Sequence, residues 1–349
     1  MAKKPKEKEM YHIAEWYGEP YYDINDARRQ QLAGFKPSGK MLQKEEMKRI
    51  LKYRDKAADG TITAKETTSL QKLEAQLTGL QATRKPCPFR SDMPFPFCTK
   101  PGGVCSMRLY EEKPPSIVPV TGARAYIRGM CPYRFQEKDR VFQHIGNDLL
   151  GDPVPFQAGE VGFLKSTGNL DSAAGRSVGN IDMVLVALNT PTGHPMEWCA
   201  VEIQAVYFSG KNMPDEIKEI YKQQGKLTMP KEGRRPDYRS SGPKRLMPQL
   251  QIKVPTLRRW GKKMVVVVDV AFFKSMGKMR TVDDVSNCDI VWCLVDFEQP
   301  APGQPYELKV IDPPTYTTLE SAIEGLTGGD AVPLDDFESG IQGKIDAAP

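Results

Sequence analysis

What this sequence lacks narrows the field before anything in it is read. No stretch approaches the ~20 consecutive apolar residues that a membrane-spanning helix requires, and the charged start, Met1 to Lys8, has no apolar run behind it. The chain therefore reads as soluble, unexported and cytoplasmic. Seven cysteines in 349 residues, with no secretion signal, read as thiols in a reducing compartment and argue against a disulfide framework. There is no CxxC knuckle and no internal repeat. The 40% of residues that are hydrophobic suffice for a sizeable core, in one large domain or two modest ones.

Charge is unevenly placed. The net value is +5, but residues 314–349 hold seven acidic residues and one lysine, which leaves +11 on the rest. A basic body of that size suits a polyanion such as double-stranded DNA, because each neutralised phosphate releases counterions.

The chain divides by composition. Residues 1–35 form an N-terminal segment whose apolar and aromatic residues pack on the core. Two polar helical patterns, Leu42 to Ala57 and Ala64 to Ala82, flank a turn-like Ala58-Asp59-Gly60 and predict an exposed helical hairpin over 36–85. Residues 86–135 are rich in Pro, Gly and Cys with little periodicity, the composition of a small loop-built module that needs a staple. In residues 136–313, a helix at Phe142 to Leu150 precedes strands Ile181 to Leu188 and Glu197 to Phe208. A long basic loop over 209–245 follows, with one short helix near Asp215 to Gln223. Then come a helix from Leu246 to Trp260, interrupted by Pro255, and strands Lys263 to Phe272 and Cys288 to Phe297. Strands alternating with helices predict a mixed α/β core. Residues 314–349 read as an acidic tail, frayed after Asp330.

The two strands Ile181 to Leu188 and Glu197 to Phe208 read as a β-hairpin across Asn-Thr-Pro-Thr-Gly-His. With the turn centred near Thr192, facing residues have numbers that add to about 384, so Asp182 lies opposite Glu202. Facing residues of an antiparallel pair share one side of the sheet with Cβ atoms ~5 Å apart, and Gln204 shares it too. Two facing carboxylates in well-covered apolar strands are destabilising unless a cation compensates. Magnesium is the natural occupant: it takes oxygen ligands, polarises a phosphodiester and lowers the pKa of an attacking water.

Cys87, Cys98, Cys105 and Cys131 are concentrated in the Pro/Gly-rich segment with no histidine among them. That donor set fits a closed tetrahedral site for zinc or iron, which would staple the fold and leave no position for a substrate. Cys199, Cys288 and Cys293 sit in apolar strand-like runs and read as small buried hydrophobes. Candidate contacts to DNA are Lys211, Arg234, Arg235, Lys244, Arg245, Arg258 and Arg259, in or beside the basic segment.

An Asp on one strand followed by a Glu-x-Lys on the next is the order of the PD-(D/E)xK nuclease superfamily; here the last position is Gln204. Several further pieces occur in order: IAEWYG, KPCPF…FC…GGVC…MCPYR, NIDMVLV…AVEIQAVYFSG, LMPQLQIKVPTLRRWGKKMVVVVDVAFF and DIVWCLVDFE. In these the chain resembles the NotI family of restriction endonucleases, in which Glu-x-Gln is the working form. The resemblance implies a PD-(D/E)xK core, magnesium on Asp182 and Glu202, Gln204 assisting the nucleophilic water, and iron on the four cysteines. It also implies a type II restriction endonuclease cutting a GC-rich palindrome beside a cognate DNA methyltransferase. Symmetric cutting of both strands predicts a homodimer. The rival readings are a structure-specific repair or recombination nuclease, which would smear a defined DNA, and an inactive metal-stapled DNA-binding protein, which would bind without cutting.

Overall fold

Strand formation follows the β-branched and aromatic runs. In the computed structural model, which describes residues 9–35, 44–90, 95–113, 116–168, 175, 177–210, 213–227, 233–328 and 332–347, β1 (Glu9–Trp16) pairs antiparallel with β2 (Val104–Lys113) in an N-terminal sheet. Between them in sequence, α1 (Lys44–Ala58) and α2 (Ala64–Gln81) form the expected helical hairpin. Thr63 and Glu66 make a reciprocal capping box that fixes where α2 begins. The hairpin is fastened as well as exposed: Ile50, Leu70, Leu73 and Leu77 pack with Phe95 and Phe97 of the cysteine segment.

The larger sheet carries the candidate site. After α3 (Arg140–Ile145) come β3 (Phe156–Ala158), a separate pair β4 (Val161–Lys165) and β5 (Ser177–Ile181), then β6 (Met183–Val186) and β7 (Trp198–Ile203). Helix α4 (Met247–Arg259) leads into β8 (Met264–Asp269) and the short α5 (Val270–Lys274), and β9 (Ile290–Glu298) and β10 (Glu307–Thr317) complete the sheet. The strand order is β10-β9-β8-β7-β6-β3. β8 runs parallel to both of its neighbours and the outer pairs are antiparallel.

Every residue of β8 is buried, as a central parallel strand covered on both faces must be. Val265 and Val267 pack toward Val141, Phe142 and Ile145 of α3. Met264, Val266 and Val268 pack toward Leu250, Val254 and Leu257 of α4 and toward α6 (Leu319–Thr327). The same alternation in β7 turns Cys199 and Val201 to the α3 side and Ala200 to the α4 side. Glu202, two residues on from Ala200, therefore belongs to the α4 face.

Four sequence expectations are corrected. The strand expected to reach Phe272 ends at Asp269, whose carboxylate accepts from the Phe272 backbone N–H at 2.7 Å and starts α5. The cysteine segment is not built of loops alone, since β2 runs ten residues through it. The core does not stop at 313: β10 extends to Thr317, and α6 buries Leu319, Ala322 and Leu326 on the sheet. Pro313 and Pro314 obscured that strand, but an edge strand tolerates proline because one side of its ladder is unpaired. Finally, the chain after Asp330 is not frayed throughout, for Leu334–Asp346 forms an exposed helix, α7.

Candidate active site

The hairpin adopts the predicted register. Trp198 faces Val186, Cys199 faces Leu185, Ala200 faces Val184 and Val201 faces Met183. One further step in the same register brings Asp182, at a bend just before β6, across from Glu202, close enough for its carboxylate to raise the pKa of Glu202. Gln204 follows on the same face, its backbone N–H held by the Val267 carbonyl of β8 at 3.0 Å. Its side-chain amide nitrogen donates to the Ala205 carbonyl at 2.7 Å.

The structure adds a residue the sequence reading missed. Lys253, on α4, places Nζ 2.8 Å from Glu202 Oε2 and 3.6 Å from Asp182 Oδ2. The side chains of Lys253 and Glu202 are only 4% and 8% exposed, whereas that of Asp182 is 59% exposed. Burial pushes the Glu202 carboxyl up to about 7, against the pull of Lys253, and the neighbouring Asp182 pushes the same way as burial. A signal for Lys253 was present: Leu246, Leu250, Val254 and Leu257 form the buried stripe of the helix, and position 253 falls on it.

Glu202, Gln204 and Lys253 open onto a cleft of about 630 Å³, also lined by Asn180, Tyr207, Lys244 and Arg245. Lys244 and Arg245 come from a π-helical turn, Gly242–Leu246, that widens the chain just ahead of α4. Arg245 donates to the Tyr207 hydroxyl at 2.5 Å and stacks over its ring. Two of the expected contacts to DNA are otherwise engaged: Arg234 is buried against Glu216, and Arg258 is paired with Asp289 and Glu320. Arg235 is exposed on a short strand, Arg259 is exposed at the end of α4 and donates to Thr256, and Lys211 lies outside the described residues.

The four clustered cysteines are buried and unbridged. Burial pushes all four thiols up, Cys87 to about 12, and each is raised further by its neighbours or, for Cys131, raises theirs. The Cys98 thiol donates to the Lys100 carbonyl at 3.9 Å and the Cys105 thiol to the Gly103 carbonyl at 3.7 Å. The thiols do not close to within 4.8 Å as a group; among the described residues that closeness is met by His144, Asp148 and Asp312. There the imidazole bridges the two carboxylates at 3.2 and 3.0 Å and ties the helical segment after α3 to β10, on the opposite face of the sheet.

The cysteine segment is part of the cleft wall, since Lys100, Met130 and Pro132 line it. Gly129 locks the two together. Its carbonyl accepts from Val206 at 2.8 Å and its N–H donates to Asp269 at 3.1 Å, so the segment is bonded to the ends of β7 and β8. A side chain at this position would strike the Phe135 ring at 2.6 Å, which is why the contact needs glycine.

Acidic groups converging on a cleft with cations at its rim are suited to breaking a polyanion, and the chain is a DNA hydrolase. More particularly, the family model for restriction endonuclease NotI matches residues 71–308 of the 349, and the chain belongs to that family. It is a type II restriction endonuclease that binds double-stranded DNA. No curated protein matches the chain.

Proposed function

We propose that this endonuclease is magnesium-dependent, that its core is of the PD-(D/E)xK type in the Glu-x-Gln form, and that Asp182, Glu202 and Gln204 are its catalytic residues. The observation that carries the proposal is the juxtaposition of Asp182 and Glu202, whose carboxylates lie 3.6 and 2.8 Å from one Lys253 ammonium, with Gln204 two residues on from Glu202. Asp182 and Glu202 are hard oxygen donors and would hold the ion. Bound magnesium supplies Lewis-acid polarisation of the phosphate and a more acidic water. Gln204 directs its amide oxygen at that water as an acceptor, fixing its orientation without adding charge.

Lys244, Arg245 and Arg235, with Arg259 and Lys211, are the proposed contacts to DNA. Lysines neutralise phosphate, and arginines read guanine bidentately in the major groove, which suits a GC-rich palindrome. Cutting both strands of a palindrome calls for two copies of the site and hence a homodimer. Such an enzyme works in a pair with a cognate DNA methyltransferase. The four cysteines would hold a structural iron or zinc: the donors are all soft sulfur and buried, and a cation would relieve the mutual repulsion of the thiolates.

Digestion of methylation-free genomic DNA with magnesium, followed by sequencing of the ends, tests the whole proposal. Discrete ends sharing one palindrome are expected, and Asp182→Asn should abolish them. Smeared products, or cutting that survives chelation, would overturn it.

A further inference from the structure

We propose that Lys253, delivered by helix α4 and not by the catalytic strand, is the positioning cation of this active site, holding Glu202 beside Asp182 and setting a positive charge at the cleft floor. The inference rests on the nuclease reading above. Its starting point is an imbalance. The floor of the cleft carries two carboxylates, and Gln204 brings no charge, its amide nitrogen being engaged by Ala205. Lys253 supplies the missing charge: its Nζ touches both carboxylates, and its side chain reaches the same cleft. Of the three other cations lining the cleft, Lys100 is engaged by the Met130 carbonyl and Arg245 by the Tyr207 hydroxyl, and neither they nor Lys244 form an ion pair with Asp182 or Glu202.

Fold stability does not explain this lysine. Its neighbours along the buried stripe, Leu250, Val254 and Leu257, pack on the sheet. A buried ion pair contributes no more to stability than an apolar side chain of similar volume, and often less. What the ammonium can do that an apolar group cannot is chemical. In hydrolysis the water oxygen bonds to phosphorus, a water proton passes to solvent, the scissile P–O bond breaks, and the departing oxygen takes up a proton from solvent. Negative charge gathers on the phosphoryl oxygens during that exchange. A fixed ammonium beneath them stabilises it.

The test compares Lys253→Gln, Lys253→Ala and Glu202→Gln in the full-length protein. Lys253→Gln should lower kcat by about 100- to 1,000-fold while changing KM for cognate DNA less than about threefold. Added alkylammonium should recover part of the activity of Lys253→Ala and none of that of Glu202→Gln. Lys253→Met, which keeps the apolar packing, replaces Lys253→Gln if that variant does not fold. Wild-type kcat in the lysine variants, a loss confined to KM with a lowered Tm, or absence of amine rescue overturns the inference. If Glu202→Gln also cuts normally, it is the nuclease reading that fails.

Discussion

Two of the buried carboxylate–cation sites among the described residues are built to opposite ends. In the first, Glu15 and Arg134 are wholly buried between the N-terminal sheet and the cysteine segment. Arg134 donates to both oxygens of Glu15 at 2.9 Å, to Glu137 at 2.5 Å and to the Tyr306 carbonyl at 2.9 Å. Ser106 donates to Glu15 at 2.5 Å, and Glu137 accepts from the Leu308 N–H at 2.8 Å. In the second, Glu202 meets Lys253 at 2.8 Å, with the exposed Asp182 adding like charge, and the group faces a cleft. Burial is similar, but saturation is not. A carboxylate surrounded by donors is finished structure, whereas one with capacity left over and its pKa lifted to about 7 is available for chemistry.

Mutation should separate the two sharply. Glu202→Gln is expected to remove at least about 4 kcal/mol of transition-state stabilisation, roughly a thousand-fold in cleavage rate, with urea-unfolding stability changed by less than about 1 kcal/mol. Arg134→Met, which strands two buried carboxylates, should instead lower stability by about 3–5 kcal/mol in the same unfolding experiment. Comparable destabilisation by both would erase the distinction.

A third, buried carboxyl tests the role of saturation from the side of pH. Burial raises Asp269 to about 7, opposed by the N–H groups of Phe272 and Gly129 and by Arg128, and supported by Asp296. Its folded pKa thus exceeds its unfolded value of about 3.9. The stability it contributes is complete below about pH 4 and is lost as pH rises through about 7, with a slope of at most about 1.4 kcal/mol per pH unit. The difference in unfolding free energy between wild type and Asp269→Asn should therefore shrink or reverse from pH 4 to pH 7. A flat difference would show that the two N–H donors have already saturated this group as fully as Glu15. The smallest effect belongs to the exposed apolar face of α7: Phe337→Ser should change stability by less than about 0.5 kcal/mol in the same assay, because Phe337 is 58% exposed.

The β6–β7 hairpin was legible because its two strands are strongly apolar and its turn is compact, so a single register, continued one step, puts Asp182 across from Glu202. Lys253 was not, because a lysine on an amphipathic helix is ordinarily counted with the solvent face, and only its spacing from Leu250 and Leu257 says otherwise. β10 was hidden by Pro313 and Pro314, and β2 by the glutamates Glu111 and Glu112 and the cysteine that interrupt its alternation. Among the basic residues, sequence could not separate Arg245 at the cleft from Arg234 against Glu216, because the partner of Arg234 is eighteen residues away in the chain.

Gly129 makes two stretches far apart in sequence share one anchor point. It is two residues from Cys131, yet it is bonded to Val206 and Asp269, at the ends of the strands that hold the acidic floor. A displacement of this stretch at Gly129 would therefore reach Val206 and Asp269 directly, with no residue in between.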